Sequence, residues 1–140
     1  MDSKIINFIA KEQVCALSVL LSDGVPHIAT VHYSHTENPL RIFIQTSNTT
    51  TKAKALVNRE NAKAAIVIGF SEEDWLTLQM RGDIKIVSNK DELEEIYKIH
   101  YKKHPDAEQY KGPQTIFLEF KPTWWRFTDF NTDPETIVEQ

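Results

Sequence analysis

The alternation of apolar and polar residues along the chain predicts a protein made mostly of strands. Residues 14–21 are apolar at nearly every position, which predicts a strand covered on both faces. Asp23-Gly24 is a strong hairpin signal and returns the chain into a second strand at residues 28–33. Further strands are predicted at residues 41–46, 63–70, 75–87, 115–120 and 124–128. Gly82 predicts a bend in the longest of them.

Three segments have helical spacing instead. Residues 3–11 place apolar side chains on one face behind a capping residue, and residues 50–58 form a shorter candidate. The segment from Asp91 to Pro105 has an acidic start and a basic end, which complement the helix dipole. Because strands and helices do not alternate regularly, a parallel α/β sheet is excluded. We predict a single mainly β domain with helices over residues 1–140, folded as a six- to seven-stranded antiparallel barrel.

Charge and composition narrow the function classes. The formal net charge is −4, whereas a nucleic-acid binder usually shows a basic excess, so we expect no nucleic-acid partner. The chain has neither an apolar leader nor an apolar run of about 18 residues, so we expect no membrane partner and a cytoplasmic location. Cys15 is the only cysteine and lies within a predicted strand, which predicts an inert buried thiol.

The stretch that follows residues 41–46 has the chemistry of an anion site. Six Ser, Thr and Asn residues, at positions 46–51, come before Lys52 and a helix-forming run. Short hydroxyl side chains, free backbone N–H groups and one ammonium together favour a phosphate. The same residue types are also typical of an exposed helix cap, and spacing alone does not separate the two interpretations.

The histidines do not predict a metal site. His100 and His104 have a spacing that can hold zinc on a helix. However, Tyr101-Lys102-Lys103 between them supplies no glutamate and puts two cations nearby. We therefore expect a solvated helix end there. His32 and His35 straddle the end of a predicted strand.

Five motifs occur in a consistent order along the chain. They are Asp23-Gly24-Val25-Pro26-His27, Ile42-Phe43-Ile44-Gln45-Thr46-Ser47, Thr51-Lys52-Ala53, Gln79-Met80-Arg81-Gly82 and Trp125-Arg126-Phe127-Thr128-Asp129. Together they resemble the pyridoxamine 5′-phosphate oxidase-like superfamily of FMN-binding split barrels, including its small uncharacterised bacterial subfamily. The resemblance implies a split β-barrel that forms a homodimer and holds FMN at the interface between the two copies.

The resemblance also implies which residues hold the cofactor. The FMN phosphate is expected on Thr46, Ser47, Thr51 and Lys52. The strand that contains His27, Ile28, Ala29 and Thr30 is expected along the isoalloxazine ring, largely through backbone groups. The remaining expected contacts are Gln45, Gln79 and Trp125.

Trp124 and Trp125 are both candidates for the tryptophan that contacts the flavin. Adjacent residues of a strand face opposite ways, so at most one of the two indoles can contact a flavin. Trp125 is the preferred candidate from the resemblance.

Two departures from the family's motifs bear on the reaction. Thr51 stands before Lys52 where the oxidase typically has arginine, and Thr128 stands where its closing strand has histidine. Pyridoxamine 5′-phosphate is therefore not the expected substrate, although FMN is. We predict a small flavin-dependent oxidoreductase with a small-molecule redox substrate, and no catalytic acid or base is identifiable. The alternatives are a module that stores flavin or heme, a structural dimer, and a deazaflavin protein on the same fold.

Overall fold

One curled antiparallel sheet forms most of the protein in a computed structural model that describes residues 1–140. The strands are β1 (Val14–Leu20), β2 (Pro26–His32), β3 (Ser34–Glu37), β4 (Leu40–Ser47), β5 (Ala62–Ile68), β6 (Leu76–Ile86), β7 (Thr115–Asp129) and β8 (Thr136–Glu139). The helices are α1 (Ser3–Lys11), α2 (Thr51–Lys54) and α3 (Lys90–Lys103), and a 3₁₀ helix follows at Pro105–Tyr110. None of the helices is long and apolar enough to cross a membrane.

The strand order explains why the sheet curls. Neighbouring strands follow the order β2-β1-β5-β6-β7-β4-β3, and β8 pairs with the end of β7. β2 and β3 lie at opposite ends of this order, yet only Tyr33 separates them along the chain. The two ends of the sheet must therefore come together, which closes the strands into a barrel with a split between β2 and β4. The predicted mainly β split barrel is confirmed.

The barrel interior holds the main core. The fully buried side chains Leu17, Ile44, Ile68, Leu78 and Leu118 come from five different strands and meet inside it. α1 adds its buried face to the same cluster, consistent with its apolar spacing. α3 covers the outside of β4 and β7 through a smaller cluster built from Phe43, Val87, Ile96 and Phe117.

A β-bulge changes which side chains of β7 face the interior. Arg81 pairs with Trp124 while Gly82 pairs with Pro122, so Thr123 is an extra residue in β7. A Cβ atom on Gly82 would collide with the backbone of Lys121. The predicted break between residues 120 and 124 is therefore wrong, because β7 passes through this point as one bulged strand.

Three other local predictions differ from the structure. α2 ends after four residues, and Asn58 adopts a positive φ in the turn that replaces the predicted end of the helix. The segment at residues 34–39, which lies between two predicted strands and has no strand predicted for it, contains β3. The tail, which has no clear pattern, forms β8 against the end of β7. Pairing with a neighbouring strand forms both β3 and β8, and their own sequences do not signal it.

Candidate functional site

The hydroxyl groups of the loop after β4 bond to one another. Thr46 Oγ1 lies 3.1 Å from Thr50 Oγ1, and Ser47 Oγ lies 2.8 Å from Thr49 Oγ1. Thr50 caps α2 by accepting a hydrogen bond from the backbone N–H of Ala53 at 3.3 Å. Part of the sequence signal in this loop is therefore a helix cap. Thr46 and Ser47 remain at the end of β4, where a bound group could contact them.

Lys52 is a half-buried cation with no ion-pair partner in the protein. Burial lowers its pKa from the ordinary value of a lysine, because the charged form loses solvation. Thr51, the residue before it, is exposed. Since α2 is only one turn long, its dipole adds little to anion binding, and the ammonium is the main electrostatic feature of this loop.

β2 has one free edge beside this loop. Along its other edge it pairs with β1 over its whole length, from Val14–His32 to Leu20–Pro26. If the pairing of β3 with β4 is extended back past Tyr33 into β2, Thr30 lies opposite Ser47. No backbone hydrogen bonds join β2 and β4 there. The backbone groups of β2 are therefore open at the split, which is the arrangement expected for a strand that binds a ring through its backbone.

Gln79 belongs to a different surface. Thr30, Ala16, Val67 and Gln79 occupy one row across four neighbouring strands on the outer face of the sheet. At the usual strand spacing, Gln79 lies roughly 14 Å from β2. Gln79 and the loop after β4 therefore do not converge on one small site within a single chain.

The two tryptophans lie on opposite sides of the sheet, as expected for adjacent residues. Trp124 lines a shallow outer pocket of about 420 Å³ together with Ile28 and Gln79, and Arg81 stacks on its ring at 3.9 Å. Trp125 packs against the interior core. The outer pocket thus brings two of the predicted contacts, Ile28 and Gln79, to Trp124.

Two adjoining cavities lie near the end of β4, and they share Gln45 and Tyr110. The first, which we call the loop cavity, has a volume of about 530 Å³ and is lined by Thr46, Ser47 and residues 112–115. Lys52 does not line it. The carbonyl oxygen of the Gln45 side chain is buried and receives no hydrogen bond, although its amide donates to Ala107 O at 3.3 Å.

The second cavity, which we call the histidine cavity, was not predicted. It also measures about 530 Å³, and it is lined by His32, His100, Lys103 and His104. The expectation of a solvated helix end is wrong for His100, whose side chain is 1% exposed and bonds to Ser34 Oγ through Nδ1 at 2.8 Å. The i, i+4 spacing showed that two histidines share a helix face, but not that this face turns inward.

The cysteine is buried, as predicted. Cys15 has no solvent exposure, and burial raises the pKa of its thiol to about 12. The thiolate form is therefore suppressed at neutral pH, which agrees with an inert side chain. No group of His, Cys, Asp and Glu side chains in the chain has the geometry of a metal site.

A family model described as pyridoxamine 5′-phosphate oxidase matches residues 1–129. The chain belongs to the pyridoxamine 5′-phosphate oxidase family. The match spans every strand of the split barrel except β8. No curated protein matches the sequence of this family member.

Solved structures of very different sequence share the fold of this oxidase-family chain. A heme-binding protein from Mycobacterium smegmatis is 18% identical with a TM-score of 0.76, and the alignment covers 95% of this chain but only 54% of that one. HutZ, described as the heme storage protein from Vibrio cholerae, is 12% identical with a TM-score of 0.72. The alignment covers 86% of this chain and 89% of HutZ. A putative pyridoxamine 5′-phosphate oxidase from Listeria innocua is 17% identical with a TM-score of 0.70. That alignment covers 89% of this chain and 94% of the Listeria protein.

Proposed function

We propose that this member of the pyridoxamine 5′-phosphate oxidase family binds FMN and acts as a small flavin-dependent oxidoreductase. The observation that carries the proposal is Lys52, a half-buried ammonium without a counter-ion, at the loop where the family motif expects a phosphate. A phosphate carries nearly two negative charges at neutral pH and would supply the missing partner.

The residues present fit an FMN molecule in three respects. Thr46 and Ser47 offer hydroxyl groups in the loop that leads to Lys52, and the backbone N–H groups of Thr51 and Lys52 make no hydrogen bond within the protein. The free edge of β2 offers backbone groups to a ring. The unpaired carbonyl oxygen of Gln45 needs a donor, which the N–H of a flavin pyrimidine ring can provide.

The outer face of the sheet supports a homodimer with the flavin at its interface. Ile28 is 66% exposed in the single chain and lies among small or apolar residues such as Ala16, Ala65 and Val67. A second copy on this face would cover the apolar surface. It would also allow Gln79 and Trp124 of one copy to approach a ring held by the other, which a single chain does not permit.

The protein's part in the chemistry is binding and positioning. FMN supplies the capacity to accept and release two electrons. Lys52 and the loop hydroxyls would fix the phosphate end, and β2 would orient the ring and shield one side of it from water. The absence of arginine at Thr51 and of histidine at Thr128 argues against pyridoxamine 5′-phosphate as the substrate.

A visible spectrum after incubation with FMN and desalting tests cofactor binding. We expect flavin absorption that stays with the protein, and release of FMN on denaturation. A protein that stays colourless would contradict the proposal, and a Soret band on purification would favour heme binding, the property named for two structural neighbours. Anaerobic mixing with NADH or NADPH then separates an enzyme, whose flavin bleaches, from a flavin store.

Replacing Lys52 tests the phosphate site. Lys52→Ala should weaken FMN binding by about 1.5–3 kcal/mol, or roughly 10- to 150-fold, since it removes a hydrogen bond to a charged group. Riboflavin, which lacks the phosphate, should lose little affinity in the same variant. Lys54→Ala, which removes an exposed lysine from the same short helix, is the matched control. If FMN and riboflavin lose affinity equally, Lys52 does not contact the phosphate.

A further inference from the structure

The histidine cavity combines one half-buried lysine with walls of aromatic rings. His32, His100 and His104 form a contiguous group, with ring centroids 5.1 Å apart for His32 and His104 and 5.0 Å for His100 and His104. Val31, Pro105 and Tyr110 add apolar surface, and Lys103 is the one lysine in the lining. The cavity opens at its exposed side through His32, Pro105 and Tyr110, while His100 lies at its buried end.

Lys103 has hydrogen-bonding capacity left over. Its ammonium donates to Glu12 O at 2.6 Å and to Ile9 O at 3.3 Å, and it lies 4.0 Å from the centre of the Tyr33 ring. An ammonium has three donors, so one remains without a protein acceptor. Burial lowers the pKa of Lys103 to about 8, so the group is still mostly charged at neutral pH. No carboxylate forms an ion pair with it, although the charge of Glu12 acts from farther away and opposes the lowering of the pKa.

Two of the three imidazoles, those of His100 and His104, provide flat neutral walls. Burial, together with the neighbouring His104, His32 and Lys103, lowers the pKa of His100 to about 4. Burial also lowers the pKa of His104, whose Nε2 donates to Tyr33 O at 2.7 Å. Both rings are therefore neutral at pH 7, and Lys103 is the one lysine or arginine in the lining.

We propose that the histidine cavity binds a small aromatic carboxylate, with the carboxylate on Lys103 and the ring between the histidine and tyrosine side chains. The carboxylate would accept the third N–H of the ammonium, whose other two N–H groups donate to Glu12 O and Ile9 O. The volume of about 530 Å³ is within the range of ligand sites and exceeds the needs of a single ring. The cavity meets the loop cavity at Gln45, so a ligand here would lie next to the expected flavin. A role for this ligand as the redox substrate rests on the proposed function, whereas the binding of the ligand to the histidine cavity does not.

Three small probes test the charge requirement in the unmodified protein. Benzoate should bind roughly tenfold or more tightly than benzamide, which has the same shape without the charge, and acetate should bind more weakly than benzoate because it has no ring. Titrations followed by the side-chain NMR signals of the histidines should show changes at His32, His100 and His104 and none at His27. Equal affinity for benzoate and benzamide, or changes confined to His27, would overturn the proposal.

Variants at two neighbouring positions of α3 test whether Lys103 supplies the positive charge that binds benzoate. Lys103→Met should reduce benzoate affinity to that of benzamide, while Lys102→Met, at an exposed position of the same helix, should leave it unchanged. Because Lys103 also anchors the end of α1, His32→Ala serves as a second variant. It removes an exposed ring that makes no hydrogen bond, and should weaken benzoate several-fold. If Lys102→Met weakens benzoate as much as Lys103→Met does, or His32→Ala has no effect, the site is wrong.

Running the titrations with and without FMN separates this proposal from the flavin proposal. Benzoate binding in a protein that fails to take up FMN would leave the carboxylate site intact and refute only the cofactor. FMN binding without any benzoate effect on the histidines would refute only the carboxylate site.

Discussion

At the scale of single residues, the titration of His100 makes the free energy of unfolding depend on pH. The imidazole is held neutral inside the protein, where its pKa falls to about 4, while in the unfolded chain it returns to an ordinary value of about 6.5. Between these values the unfolded state binds the proton and the folded state does not, so acidification favours unfolding. The free energy of unfolding should therefore decrease as the pH falls from about 6.5 towards 4.

The variant His100→Gln isolates this contribution, because glutamine can still hydrogen-bond Ser34 but does not titrate. Urea unfolding at about pH 7 and about pH 5 should show a smaller loss of stability for this variant than for the natural protein. His27→Gln, on β2 and outside the histidine cavity, should lose as much stability between these two pH values as the natural protein does. A His100→Gln variant that loses as much stability as the natural protein would show that His100 is not the titrating group.

At the scale of elements, the bulge in β6 and β7 decides which tryptophan faces outward. Before the bulge, Leu118 and Phe120 face the interior, and after it Trp125 and Phe127 do, so the inward positions change from even to odd numbers. Gly82 makes the bulge possible, because a side chain there would meet the Lys121 backbone. Gly82→Ala should lower the free energy of unfolding by about 2–3 kcal/mol, measured by urea denaturation.

Gly112→Ala is the matched control for this prediction. A Cβ at Gly112 meets no atom within 4 Å, and the residue has no positive φ, so its replacement should be nearly neutral. If both variants unfold at the same urea concentration, the close approach at Gly82 does not constrain the strand.

The bulge also shows what the sequence could and could not predict. Period-2 patterns located most of the strands, and Gly82 was recognised as a bend. The pattern could not show that Thr123 is an extra residue, because its effect depends on pairing with a distant strand. The inward turn of His100 escaped prediction for the same reason, since Ser34, its partner, is 66 residues away. The loop at Thr46–Lys52 was predictable as a candidate because all of its chemistry is local.

At the scale of the whole molecule, the predicted flavin contacts are divided between two surfaces. Thr46 and Ser47 lie at the split of the barrel and Lys52 follows in α2, whereas Ile28 and Gln79 lie on the outer face of the sheet. Within one chain Gln79 lies roughly 14 Å from β2, and the proposed packing of two copies on their outer faces would bring Gln79 of one copy towards a ring held by the other. The proposed cofactor site and the proposed dimer are therefore one hypothesis, and a test of either bears on both.

Ile28→Lys tests this link by placing a charge in the apolar outer face. The variant should shift the protein towards monomer in analytical ultracentrifugation, because a buried lysine at the contact would lose solvation without gaining a partner. The monomer should hold FMN at least tenfold more weakly, although Lys52 and the loop are unchanged. Val57→Lys, at an exposed apolar position outside this face, should alter neither property. A verified monomer that keeps its flavin would show that one chain suffices for the site, and the outer face would then have no part in cofactor binding.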